Sequence, residues 1–161
     1  MVTEKPKPIE PKPTPTAKKP QPLPPELVAA WEKAGLSRKD VAAWEKAGFT
    51  AGWMGPDKES GFIILAPTLK ELDTSKSVPA FRPRGWKPGV LVSLPAPTNV
   101  FGLDRAGFEI TDEGLKEVAQ LHLLTSLDLR SVFYGGNSHS QITDAGVAGL
   151  QKALPKCKIR R

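Results

Sequence analysis

The sequence predicts an α/β fold in which short helices alternate with short parallel strands, the helices lying outside the sheet. Two observations predict it. Ile110-Thr-Asp-Glu-Gly-Leu115 returns as Ile142-Thr-Asp-Ala-Gly-Val147, 32 residues downstream. Between the copies, Leu121, Leu124, Leu127 and Leu129 pass from helical spacing to the alternation of a strand. A phrase repeated at a fixed period, with leucines on that schedule, marks a stacked-repeat architecture. One such unit cannot bury its apolar face alone, so the units must stack into a solenoid.

Residues 1–25 hold nine of the 17 prolines, and five lysines against Glu4 and Glu10. Such a segment cannot offset its ordering entropy by burial, which predicts a disordered, polyproline-like tail serving as a spacer. Pro8 with Pro11 and Pro22 with Pro25 form P-x-x-P spacings, so a ligand motif for an aromatic-lined groove is the alternative.

Residues 26–50 contain a second duplication, Val-Ala-Ala-Trp-Glu-Lys-Ala-Gly at Val28–Gly35 and again at Val41–Gly48. Each copy predicts a helix of about two turns, closed by glycine where a left-handed residue belongs. Ser37 and Asp40 match a capping box with Asp in the Glu position. Helices this short need tertiary support. Trp31 and Trp44 are therefore expected in the core rather than in a ligand box.

Residues 51–98 predict an N-terminal cap for the stack. Gly52-Trp-Met-Gly-Pro-Asp57 reads as turn-rich, Gly61–Ala66 as a short buried strand, and 67–88, with four prolines, as mostly irregular. Gly89–Leu94 fits either a strand or one helical turn. Laid on the leucine schedule, Val90, Leu94, Val100 and Leu103 make 89–109 a degenerate first unit, with Arg105 where an inward leucine belongs.

In 99–161 each unit is one helix and one strand. Thr111 or Asp112 can cap the first helix, and Asp112 and Glu113 suit the positive end of its dipole. Leu115, Val118 and Leu121 keep helical spacing, and Leu127-Asp-Leu129 alternates with Asp128 pointing outward. Leu154, Cys157 and Ile159 form a last strand that buries Cys157, while Lys156, Lys158, Arg160 and Arg161 read as a frayed basic end.

These residues resemble the leucine-rich repeat family. Ile110–Ser131 and Ile142–Ile159 are similar to the bacterial V/I-T-D-x-G-L subtype abundant in planctomycete proteins, and Ala153–Ile159 is similar to its C-terminal repeat. The duplicated Trp segment and the Val78–Phe81 region more loosely resemble what precedes the repeats in such chains. The resemblance implies a unit of about 24 residues. The 32-residue interval then implies an eight-residue insert, Phe133–Ser140, on the loop after a strand.

Composition narrows the function. The net charge of +6 is +3 in the tail, zero in 26–50, +2 in 51–98 and +1 in 99–161, so no folded basic stripe for nucleic acid is evident. One cysteine excludes an intrachain disulfide, and no apolar run would span a bilayer. No secretory leader is visible, which makes the cytoplasm the expected compartment. His122, His139 and Cys157 form no arrangement for nucleophilic catalysis, and no phosphate loop or metal motif occurs. The chain is expected to be no enzyme and to hold no cofactor or metal.

What the repeats imply is a protein–protein interaction module. The expected partner-binding residues are Thr125, Ser126, Asp128 and Arg130 on the concave strand face, with Phe133, Tyr134, Asn137 and His139 on the insert. Asp128→Lys together with Tyr134→Ala is expected to abolish the interaction and leave the fold intact. The alternative is a structural repeat remnant that self-associates through its exposed edges. Substrate presentation to a ubiquitin ligase is a third possibility, by analogy of fold alone.

Overall fold

The computed structural model describes residues 25–104, 110–130 and 142–161. The tail to residue 24, Arg105, and the insert with Phe133, Tyr134, Asn137 and His139 lie outside these residues. The described chain forms α1 (Pro25–Lys33), α2 (Arg38–Lys46), β1 (Phe49–Pro56), β2 (Ile63–Ala66) and β3 (Val78–Pro83). It continues through β4 (Phe101–Asp104), α3 (Asp112–Val118), β5 (Leu124–Asp128), α4 (Asp144–Ala153) and β6 (Lys158–Arg160).

The fold is α/β, with one six-stranded sheet in the order β2-β1-β3-β4-β5-β6, curled into a half-barrel. The sheet is mixed. β3, β4, β5 and β6 run parallel, whereas β1 is antiparallel to both β2 and β3. An all-parallel stack with an irregular cap is therefore not what forms. The N-terminal region supplies half of the strands.

The misreading of 51–88 has a physical cause. Gly52 and Gly55 of β1 are close-approach residues, not turn formers. A Cβ at Gly52 would stand 2.7 Å from the Ala66 carbonyl oxygen, and one at Gly55 would stand 2.8 Å from Ser77 Cβ. In β3 the pairing to β4 is confined to Ala80 and Phe81, between Pro79 and Pro83, so neither proline must donate across that junction. β2 is shorter than expected and only half-buried, with Phe62 exposed beside it. Residues 91–93 make one 3-10 turn.

The duplicated helices end as expected. Gly35 and Gly48 take φ of +80° and +94°, and Ser37 Oγ accepts the Asp40 N–H at 3.1 Å. Their two tryptophans are buried but not equivalent. Trp44 stacks on Phe81 with ring centroids 4.5 Å apart, meets Phe49 and Phe101 edge-on, and donates Nε1–H to the Pro95 carbonyl at 3.0 Å. Trp31 Nε1 has no partner among the described residues. The copies were identical in sequence, and their surroundings made them different.

One continuous core runs from this aromatic cluster through Leu103, Leu115, Val118 and Leu127 to Leu150, Leu154 and Cys157. The β4–β5 register shifts by one residue between Phe101 and Gly102 and is regular from Gly102 onward. Leu103 faces Leu127, and Leu127 faces Ile159, offsets of 24 and 32 residues. The repeated Thr-Asp-x-Gly phrase has its own structural purpose. Thr111 and Thr143 are the N-caps, accepting the N–H of Gly114 and Gly146 at 3.3 and 3.0 Å. Asp112 does not cap its own helix. It accepts the backbone N–H and the hydroxyl of Thr143 at 2.9 and 2.7 Å, tying α3 to α4. Gly146 makes room for it, since a Cβ there would stand 2.6 Å from Asp112 Cγ. Asp144 is engaged in turn by Arg161, whose second amino group reaches the Ile142 carbonyl.

Candidate interaction surface

Alternation along the strands puts one set of side chains into the core and the other onto the open, concave face. The core set, in register, is Ala51, Phe81, Leu103, Leu127 and Ile159. Next to it on the open face lie Thr50, Arg82, Asp104, Asp128 and Arg160 in one row, and Gly52, Ala80, Gly102, Ser126 and Lys158 in the next.

The small residues of the second row make room for Met54. A Cβ on Gly102 would stand 2.4 Å from Met54 Cε, so the buried Met54 side chain lies across the concave face. In the first row two carboxylates are covered by arginines. Arg82 Nε and Nη2 donate to Asp104 at 3.0 and 2.5 Å, bridging β3 to β4. Arg130 donates Nε–H and Nη2–H to Asp128 at 3.0 and 2.5 Å, and its backbone N–H adds a third donor at 2.9 Å. The guanidinium's bonds to Asp128 raise the Arg130 pKa above its ordinary value.

The four expected face residues within the described chain thus separate into two pairs. Thr125 and Ser126 are half-buried and line a groove. Thr125 Oγ1 donates to the Phe101 carbonyl at 3.3 Å, and Ser126 Oγ accepts from Arg160 Nη1 at 3.0 Å. Asp128 stands on the open face, as alternation requires, but it is only 5% exposed and committed to Arg130. It is a poor contact for a partner, and Asp128→Lys would not be a neutral probe.

The groove has a volume of about 380 Å³. Met54, Ile63 and Val78 give it an apolar side, and Thr125 and Ser126 lie in its lining. Lys156, Lys158 and Arg160 give it a basic wall, joined by Lys76 from the segment ahead of β3. The basic end expected to fray instead carries a short strand, with Lys158 opposite Ser126 and Arg160 opposite Asp128, and Lys156 sits in the turn ahead of it. The signal was present, because Lys156-Cys-Lys-Ile-Arg160 alternates polar and apolar as a strand does.

No family model, curated protein or solved structure matches the chain. The surface must therefore be read from its own chemistry. No helix of the described residues is long and apolar enough to cross a membrane. No three of their His, Cys, Asp and Glu side chains gather as metal ligands would. His122 is exposed after α3. Cys157 is buried behind β5 and β6, and burial pushes its thiol pKa up to about 11, with Arg160 pulling weakly the other way.

Proposed function

We propose that the chain is a protein-interaction module whose C-terminal half is a short leucine-rich repeat stack, and that it binds a partner protein on its concave face. The observation that carries the binding site is the groove, where Thr125 and Ser126 meet side chains from both ends of the curled sheet. The stack reading is supported by the register offsets of 24 and 32 residues, one unit and one unit with an insert. It is also supported by the Asp112–Thr143 link between successive copies of the repeated phrase. Phe133, Tyr134, Asn137 and His139 belong to this reading on sequence grounds alone.

A photo-crosslinking amino acid placed at Ser126, and in a second variant at Lys152 on the exposed side of α4, tests it in extract of the native host. A discrete adduct from position 126 that is lacking from position 152 is expected. Equal labelling from both positions, or none from either, would overturn the reading. Self-association is the second reading, favoured by β2 and β6 standing at the two ends of the sheet order. It predicts a sedimentation coefficient that rises with concentration.

A further inference from the structure

The two sides of the groove differ in chemistry. Lys156, Lys158 and Arg160 follow one another at every second position, and all three line the same space. Ile159 between the last two faces Leu127 in the core. In extended chain, alternate residues stand about 7 Å apart, which is the interval between Lys158 and Arg160 on β6; Lys156 sits in the turn after α4 and adds a third charge just ahead of the strand. Among the described residues lining the groove there is no carboxylate to neutralise it. Lys156 and Lys158 are exposed and form no ion pair with any described residue, and the Arg160 guanidinium, on the strand position opposite Asp128, donates to the neutral Ser126 hydroxyl. Lys76 is held by Asp73 at 3.2 Å and adds a weaker fourth charge from the opposite side.

Apart from Ser75, the rest of that side is apolar, formed chiefly by Met54, Ile63 and Val78. An extended peptide has the same two-residue repeat as Lys158 and Arg160. Acidic residues at alternate positions would each face a cation, and the side chains between them would turn toward Met54, Ile63 and Val78. Single-stranded nucleic acid fits less well, because no aromatic side chain among the described residues lines the groove for bases to stack on. A volume of about 380 Å³ holds a few side chains, at the small end of ligand sites.

We infer that the groove takes an extended acidic segment of a partner protein, with carboxylates at alternate positions meeting Lys156, Lys158 and Arg160 and apolar residues between them, an inference that rests on the concave face being the partner surface. Electrostatic pairing of this kind sets specificity and association rate more than bulk affinity.

Fluorescence anisotropy on the full chain tests it with three labelled probes: Asp-Val-Asp-Val-Asp, the same residues in the order Val-Val-Asp-Asp-Asp, and oligouridylate. The alternating peptide is expected to bind roughly fivefold tighter than the block peptide, and more weakly as salt is raised. The double variant Lys156→Glu and Lys158→Glu alters two exposed side chains. It should weaken the alternating peptide roughly tenfold or more, with an unchanged circular dichroism spectrum. Equal binding of both peptides, an unaffected double variant, or tighter binding of oligouridylate would overturn the inference. The crosslinker at Ser126 separates the two levels. If it still captures a discrete partner while acidic peptides do not bind, the acid preference falls and the concave-face reading stands. If position 126 labels no more than position 152, both fall.

Discussion

Asp112 holds Thr143 by accepting two hydrogen bonds across 31 residues of chain, one from its N–H and one from its hydroxyl. The same threonine caps α4 through Gly146. Each copy of the repeated phrase therefore starts its own helix with Thr, and the first copy's Asp fastens the next copy in place. Thr143→Ala should cost about 1 kcal/mol in urea unfolding, the usual worth of an N-cap. Combined with Asp112→Ala, the loss should be smaller than the sum of the two single losses, because they share a bond. Additive losses would show that the link contributes nothing.

The same pair predicts an acid dependence. Hydrogen bonds from the Thr143 hydroxyl, then from its N–H, lower the Asp112 pKa below its ordinary value. A folded value below the unfolded one gives stability that is present above the unfolded value and lost as pH falls through the folded one. Bonds from Ser60 and Ser75 lower Asp57 and Asp73 in the same direction. Urea midpoints should fall as pH drops below about 4, and less steeply for Asp112→Ala than for the parent. An equally steep acid limb in the variant would remove Asp112 from the cause.

The two tryptophans of the duplicated phrase should separate on substitution. Trp44→Phe leaves the Pro95 carbonyl without its donor and loosens the stack on Phe81, whereas Trp31→Phe removes an N–H that had no described partner. Chemical denaturation should show Trp44→Phe about 1 kcal/mol more damaging. Equal costs would mean that the Pro95 bond adds nothing.

Cys157 should be nearly inert in the native protein. With its pKa raised to about 11, the thiolate fraction at pH 8 is roughly a hundredfold below that of an ordinary cysteine, and burial slows access further. Alkylation by iodoacetamide should follow unfolding in urea. Rapid labelling of the native chain at pH 8 would contradict the buried placement.

Asp128→Lys should destabilise, by roughly 2 kcal/mol. It discards a buried carboxylate's bonds to Arg130 and sets a second cation against that guanidinium. The exposed side of Arg130 keeps the figure at the low end. Differential scanning calorimetry would show it, and an unchanged transition would refute the burial argument.

Much of the local structure was legible. Gly35, Gly48, Ser37, Thr111 and Thr143 act where their backbone chemistry predicts, because caps are decided within a few residues. Leu103, Leu127, Ile159 and Cys157 followed from periodicity. The strands β1 and β3 were hidden because Gly52, Gly55, Pro79 and Pro83 carry turn signals that only their neighbours explain. Local composition cannot reveal that Met54 needs Gly102 beneath it, or that Ser77 stands over Gly55. The basic wall was missed for a related reason. Charges near the end of a chain were read as fraying, although Cys157 and Ile159 had already marked the segment as a strand. Asp128 was placed on the correct face, but its cover, Arg130, is two residues away and depends on how the chain leaves β5.

The parallel run starts on a strand, β3, whose other edge belongs to an antiparallel hairpin, and at its far end Arg161 takes hold of Asp144 much as Thr143 is held by Asp112. Both ends of the parallel run are therefore closed by contacts from outside the repeated phrase. Splicing one more Thr-Asp-x-Gly unit between the two existing copies would lengthen the arc of the half-barrel and move the lysine wall away from Met54. The number of Thr-Asp-x-Gly copies would thus set the distance across the groove between the lysine wall and Met54.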